Sequence, residues 1–147
     1  MDRMTLEALN NEWQNDSKID STEPGKELLR NPNLHSKYAE QLMRHSLALK
    51  GQRLAYNALR RLRSDYYNGR MTQADLEKNG LQQFPLVLKS DIGLYLDADP
   101  ALQALEQKIA IHEEAITLCG SILKTINNRS FDLRGYIDWI KYTQGNV

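Results

Sequence analysis

The chain has 147 residues, 41% of them hydrophobic, which suits one compact domain or a few extended helices that need partners. Four prolines and eight glycines are too few for the frequent turns of a many-stranded sandwich, so composition favours helix. Nineteen bases balance nineteen acids, and net neutrality by itself argues against a nucleic-acid partner.

In chain order, residues 4–14 read as a short amphipathic helix, with Met4, Leu6, Leu9 and Trp13 apolar. Residues 16–25 (DSKIDSTEPG) read as a loop closed by Pro24-Gly25. A long helix is expected from Asn31-Pro32, a good N-cap followed by a first-turn proline, to about Tyr67. Gly69 supplies its stop. Thr72 and Asp75 suit the capping of a short helix that Gly80 closes. Residues 81–90 are irregular, with Pro85 inside. Residues 90–98 allow a short helix or a strand, since Ile92, Leu94 and Leu96 alternate; helix is favoured. Asp99-Pro100 opens a second long helix to about Asn127-Asn128, and Ser130 is placed to cap a last helix carrying Phe131, Leu133, Tyr136, Ile137 and Ile140. The fold class is therefore mainly α: two long helices plus short ones. Its expected regions are an N-terminal helical one, 1–98, and a C-terminal helical one, 99–147.

Charge is unevenly placed. Residues 37–70 hold eight bases against two acids, a net +6, and residues 41–64 hold no acid. On a wheel of about 100° per residue, Lys50, Arg53, Arg60, Arg61 and Arg63 fall within about 160°, together with Tyr56 and Tyr67. Arg70 follows. Leu54, Ala55, Ala58, Leu59 and Leu62 take the opposite side, where packing on protein is expected. Cations that follow phosphates, interleaved with rings that stack unpaired bases, are the chemistry of single-strand binding. The plainer alternative is a solvated helix face, which ordinarily mixes both signs. Another is a basic helix of an oligomeric interaction protein that docks an acidic partner.

Residues 102–126 carry a regular seam: Leu102, Leu105, Ile109, His112, Ile116, Cys119, Leu123 and Ile126 at spacings of three and four. A second row includes Ile111, Ala115, Leu118 and Ile122. Two adjacent rows make a face broad enough for a neighbour on each side, as in a ring, or for packing on the other long helix. The oligomerisation candidates are Leu102, Leu105, Ile109, Ile116, Leu118, Ile122, Leu123 and Ile126.

Neither a phosphate loop, a GxSxG elbow, an HExxH pair nor a CxxC pair is present, so catalysis, a cofactor and a metal site are not expected. The single cysteine, Cys119, suits a reducing interior. No apolar run approaches the roughly 18 residues of a membrane span, and the first residues lack a signal-peptide block, so no membrane partner is expected.

The stretches LRRLRSDYYNGR (59–70), KSDIGLYLDADPALQ (89–103) and NRSFDLRGYIDWIKYTQG (128–145) resemble the UvsY recombination mediators of T-even-type bacteriophages. IDST (19–22) and the KY at 37–38 fit as well. The resemblance implies a ring homo-oligomer, usually heptameric, built through C-terminal helices. It implies single-stranded DNA binding through Arg61 and Arg63, the two bases just before Asp-Tyr-Tyr. Implied partners are a RecA-like phage recombinase, which the protein helps load, and the phage single-strand-binding protein, in the cytoplasm of the infected host. Recombination, repair and recombination-dependent replication are the implied processes.

Overall fold

The computed structural model describes residues 3–145, and for residues 3 and 4 the backbone alone. The apolar role expected of Met4 lies outside the described side chains. The regular elements of the described residues are all helices, with no strand among them: α1 (Arg3–Asp16), α2 (Pro24–Tyr67), α3 (Gln73–Lys78), α4 (Ile92–Asp97) and α5 (Pro100–Thr143). A single 3-10 turn, Lys89–Asp91, leads into α4, so residues 90–98 are helical rather than extended.

Two boundaries differ from expectation. Pro24-Gly25 starts α2 instead of ending a helix. Proline suits the first helical position, the Glu23 carbonyl accepts the Glu27 amide, and the Glu27 carboxylate lies in the first turn where the helix dipole favours it. Pro32 then falls inside α2, where it has no N–H for the carbonyl of Leu28. Likewise α5 continues through Asn127-Asn128 to Thr143, and Ser130 caps nothing. Tertiary partners override local preference there. Arg129 is buried and donates to Glu27 Oε2 at 2.8 Å and to the carbonyls of Asp16 and Ser17, while Ser130 Oγ accepts from Asn31 Nδ2 at 3.0 Å.

The chain divides into two compact units, Met1–Ala48 with Ile111–Val147, and Leu49–Ala110. In the first, α2 and α5 run antiparallel, since Asn31 meets Ser130 and His45 meets His112. Leu34, Tyr38, Ala115, Cys119, Ile122 and Ile126 form the core, and α1 adds Leu9 with Leu6 and Trp13. The buried stripe of α5 (His112, Ala115, Cys119, Ile122, Ile126, Arg129 and Leu133) runs between the two rows read from the sequence and takes members of both. Lys37 fastens α1 to α2 by ion pairs to Glu12 at 2.6 Å and Asp16 at 2.7 Å. The Tyr38 hydroxyl donates to Asp16 at 2.8 Å. Burial resists the Asp16 charge, yet the Lys37 and Tyr38 hydrogen bonds hold its pKa below the ordinary value.

In the second unit Ile92, Leu96 and Leu102 form a smaller core, with Tyr56, Leu59, Tyr67 and Val87 against it. Thr72 caps α3 by accepting from the Asp75 amide, as expected. Gly69 and Gly80 take φ of +70° and +65°, the left-handed region that ends a helix at least cost with glycine.

His45 and His112 are both buried, with their Nδ1 atoms 3.2 Å apart, so one neutral ring donates to the other. Burial lowers both pKa values below 6.5, and for His45 the neighbouring His112 adds to the effect. A depressed histidine pKa means that the unfolded chain takes up protons first. Stability is full above 6.5 and is lost as pH falls below it. The urea midpoint should therefore drop between about pH 7 and about pH 5, well above the range where Asp16 titrates. A variant with His45→Gln and His112→Gln should lose most of that slope; a midpoint flat in the native protein would contradict the assignment.

Candidate nucleic-acid interface

The C-terminal half of α2 presents the basic stretch. Its orientation is fixed by the residues that find partners: Leu49, Tyr56, Leu59, Arg63 and Tyr67 face inward, at spacings that return to one side of a helix. The inward side is thus not the one expected. Leu54, Ala55 and Ala58 are exposed, Leu54 to 70%, because α4 and the segment before it meet the tyrosine side. Tyr56 and Tyr67 do not stand between the cations as open stacking faces. The Tyr56 hydroxyl donates to Glu106 at 3.0 Å, and that of Tyr67 donates to Asp99 at 2.7 Å.

Lys50, Arg53, Arg60, Arg61 and Arg70 are exposed. Arg60 Nη1 lies 3.4 Å from the Tyr56 hydroxyl and donates to it. Arg61 points to solvent, near Lys50 and Leu54 on the wheel. Arg63 is different: its side chain is 23% exposed, and its Nε lies 3.5 Å from Asp99 Oδ2, an ion pair not aligned as a hydrogen bond.

Asp99 is the buried acceptor of this region. Its Oδ1 caps α5 by accepting the amides of Ala101 at 2.9 Å and Leu102 at 3.1 Å. Burial raises its pKa, but Tyr67, the Leu102 amide, Arg63 and the Ala101 amide together hold it below 3.8. Burial and the same hydrogen bond push the Tyr67 hydroxyl up to about 12, so it stays a donor. Around Tyr67 the rings of Tyr66, Phe84 and Tyr95 gather: Phe84 lies edge-on at 4.9 Å, and Tyr95 stacks at 5.7 Å with planes 26° apart. Phe84 and Tyr95 were not expected here; the one sequence signal was that each aromatic lies beside apolar residues in a stretch without regular period.

The oligomerisation candidates also divide. Leu102, Ile122 and Ile126 are buried within the protomer. Leu105, Ile109, Ile116, Leu118 and Leu123 are half-buried. The exposed aromatics of α5 lie further along: Phe131, Trp139 (61% exposed) and Tyr142, spaced to share one face. Tyr136 stacks beside Trp139. The spacing 131, 139, 142 is visible in the sequence, within the last helix expected after Ser130.

No group of three or more His, Cys, Asp or Glu among the described residues is placed to hold a metal ion, and none of the described helices is long and apolar enough to cross a membrane.

Two 44-residue helices, with one short helix before them and two between, make up this fold. Crystal structures of the bacteriophage T4 recombination mediator protein UvsY match it with TM-scores of 0.81, 0.77 and 0.81 at 22%, 22% and 23% identity. The alignments cover 92%, 94% and 95% of this chain and 98%, 98% and 97% of those chains. Residues 12–146 match the family described as "Recombination, repair and ssDNA binding protein UvsY", and the chain belongs to that family. Comparison with individually curated proteins gives no match.

The geometry separates Arg61 from Arg63. Arg63→Ala should cost about 1–2 kcal/mol of stability in urea, because buried Asp99 loses its cation but keeps Tyr67 and two amides. Arg61→Ala should stay within about 0.5 kcal/mol of the native protein. Equal losses in the two variants would refute the distinction.

Proposed function

We propose that the protein is a recombination mediator. It binds single-stranded DNA and helps load a RecA-like phage recombinase onto strands coated by the phage single-strand-binding protein, in the cytoplasm of the infected host. The observation that carries this reading is the acid-free run 41–64 on α2, with Lys50, Arg60 and Arg61 exposed in a chain of the UvsY family. Lys50, Arg53, Arg60, Arg61 and Arg70 contact phosphates. Arg63 positions the end of α2 through Asp99. No base-reading pattern is present, so binding is independent of sequence and sensitive to salt.

Subunits assemble as a ring, of seven copies by family resemblance, through the aromatic face of α5 at Phe131, Trp139 and Tyr142. The half-buried Leu105, Ile109, Ile116, Leu118 and Leu123 are further apolar positions available on the same helix. Each copy then adds one modest site, and a strand held by one copy meets the next at high effective concentration. A wrapped, extended strand is what a recombinase needs in order to nucleate.

Titration of labelled oligo-dT at rising salt tests the binding. Arg61→Ala should weaken affinity and reduce the salt slope by about 0.7 for each phosphate that the side chain neutralises. Absence of binding at low salt by the intact oligomer would reject the reading. Assembly is tested by light scattering: Trp139→Asp should yield smaller species with native helicity. An unchanged mass would place the subunit interface elsewhere.

A further inference from the structure

The irregular segment 81–88 has no part in the basic helix face, yet it encloses space beside it. Tyr67, Gly69, Phe84, Pro85, Leu86 and Lys89 line a cavity of about 150 Å³. That is well under the roughly 300 Å³ at which pockets for drug-sized molecules begin, and it suits a single small ring. Phe84 and Tyr67 supply aromatic walls, braced from behind by Tyr66 and Tyr95. Leu86, 99% exposed, stands at the mouth with no protein packed on it. Gly69, at φ +70°, makes a turn that favours glycine, and a Cβ there would make only ordinary contact with Gln83 Nε2, at 3.7 Å. Asn68 also lines the cavity, and its side-chain Nδ2 donates to the Ser64 carbonyl. Lys89 lines the cavity, and Arg70 follows the lining residue Gly69 in the chain; both are exposed. Among the described residues, no carboxylate lines the cavity.

We propose that this cavity receives one base of the bound single strand, with Lys89 and Arg70 holding the phosphates that flank it. The proposal rests on the strand-binding reading and adds a second element to it. An aromatic slot accepts the π-face of any base, and cations at its mouth match a phosphodiester on either side. An apolar side chain of a protein partner would need the slot but not the cations. Paired bases cannot enter without leaving their stack, so the slot also favours single strands over duplex.

The test compares oligo-dT with an abasic strand of equal length, at one salt concentration, on the full-length oligomer. The native protein should prefer the thymine strand by roughly fivefold to a hundredfold. A variant with Leu86→Ser and Lys89→Gln, both exposed and outside the core, should bring that preference close to one while circular dichroism stays native. Its affinity for the abasic strand should fall only by the removal of one cation. A strand carrying 5-iodouracil should crosslink to Tyr67 or Phe84 on irradiation. Equal affinity of the native protein for both strands overturns the slot and leaves the basic face standing. Binding of neither strand overturns the strand-binding reading and the slot together. A thymine preference kept by the variant, with recombinase binding abolished, overturns the slot in favour of a protein-docking loop.

Discussion

Asp99 organises the basic end of α2. It is buried, it caps α5 through two backbone amides, and it accepts the Tyr67 hydroxyl while Arg63 stands beside it. A buried carboxylate is tolerable only if such partners replace its water. Those partners in turn fix the rotation of α2. Once Tyr67 and Arg63 face Asp99, Arg61 must face away, because two residues apart on a helix is a turn of about 200°. The ring cluster of Tyr66, Tyr67, Phe84 and Tyr95 gathers around the same point, so the aromatic surface and the cationic surface are both placed by one acid.

The other unit solves the same problem with the signs reversed. There a buried arginine, Arg129, needs acceptors and finds Glu27 and two carbonyls at the end of α1. This is why α5 does not stop at two asparagines and why α2 begins seven residues before Asn31. The buried histidine pair differs again: its members stay neutral and satisfy one another. Each long helix thus carries polar residues within its buried stripe, and each of these restricts register more sharply than another leucine would.

Much of this was legible in the sequence. Proline and glycine placed the stops at Gly69 and Gly80 and the start of α5 at Asp99-Pro100, and a hydroxyl side chain placed the Thr72 cap. The periodicity of three and four found α1 and α5. What the sequence left hidden depended on partners distant in the chain. Pro24-Gly25 reads as a breaker until Glu27 is seen to hold Arg129. Tyr56 and Tyr67 read as open faces until Glu106 and Asp99 take their hydroxyls. Two apolar rows on α5 leave open a neighbour on each side or packing on the other long helix; the buried stripe lies between them, takes His112 from the seam, and includes Arg129, which no hydropathy pattern would place in a core.

A pair of basic residues two apart therefore asks for a division of labour. On an extended strand, neighbouring side chains of spacing two share a face, and both arginines would reach one phosphate chain. On a helix they cannot. Removing either base can weaken strand binding, but by different routes: Arg61 by taking charge from the surface, Arg63 by loosening the end of α2 on which that surface is mounted. The same reasoning links Arg63 to the loop cavity. With Arg63 drawn toward Asp99, the end of α2 is held where Tyr67 forms a wall against Phe84, and the cations flanking that wall, Arg70 and Lys89, come from outside the helix. On the proposed reading, a basic helix supplies the length of contact that a phosphate chain needs, and the irregular segment after α3, closed against Tyr67 at the end of α2, supplies the aromatic depth.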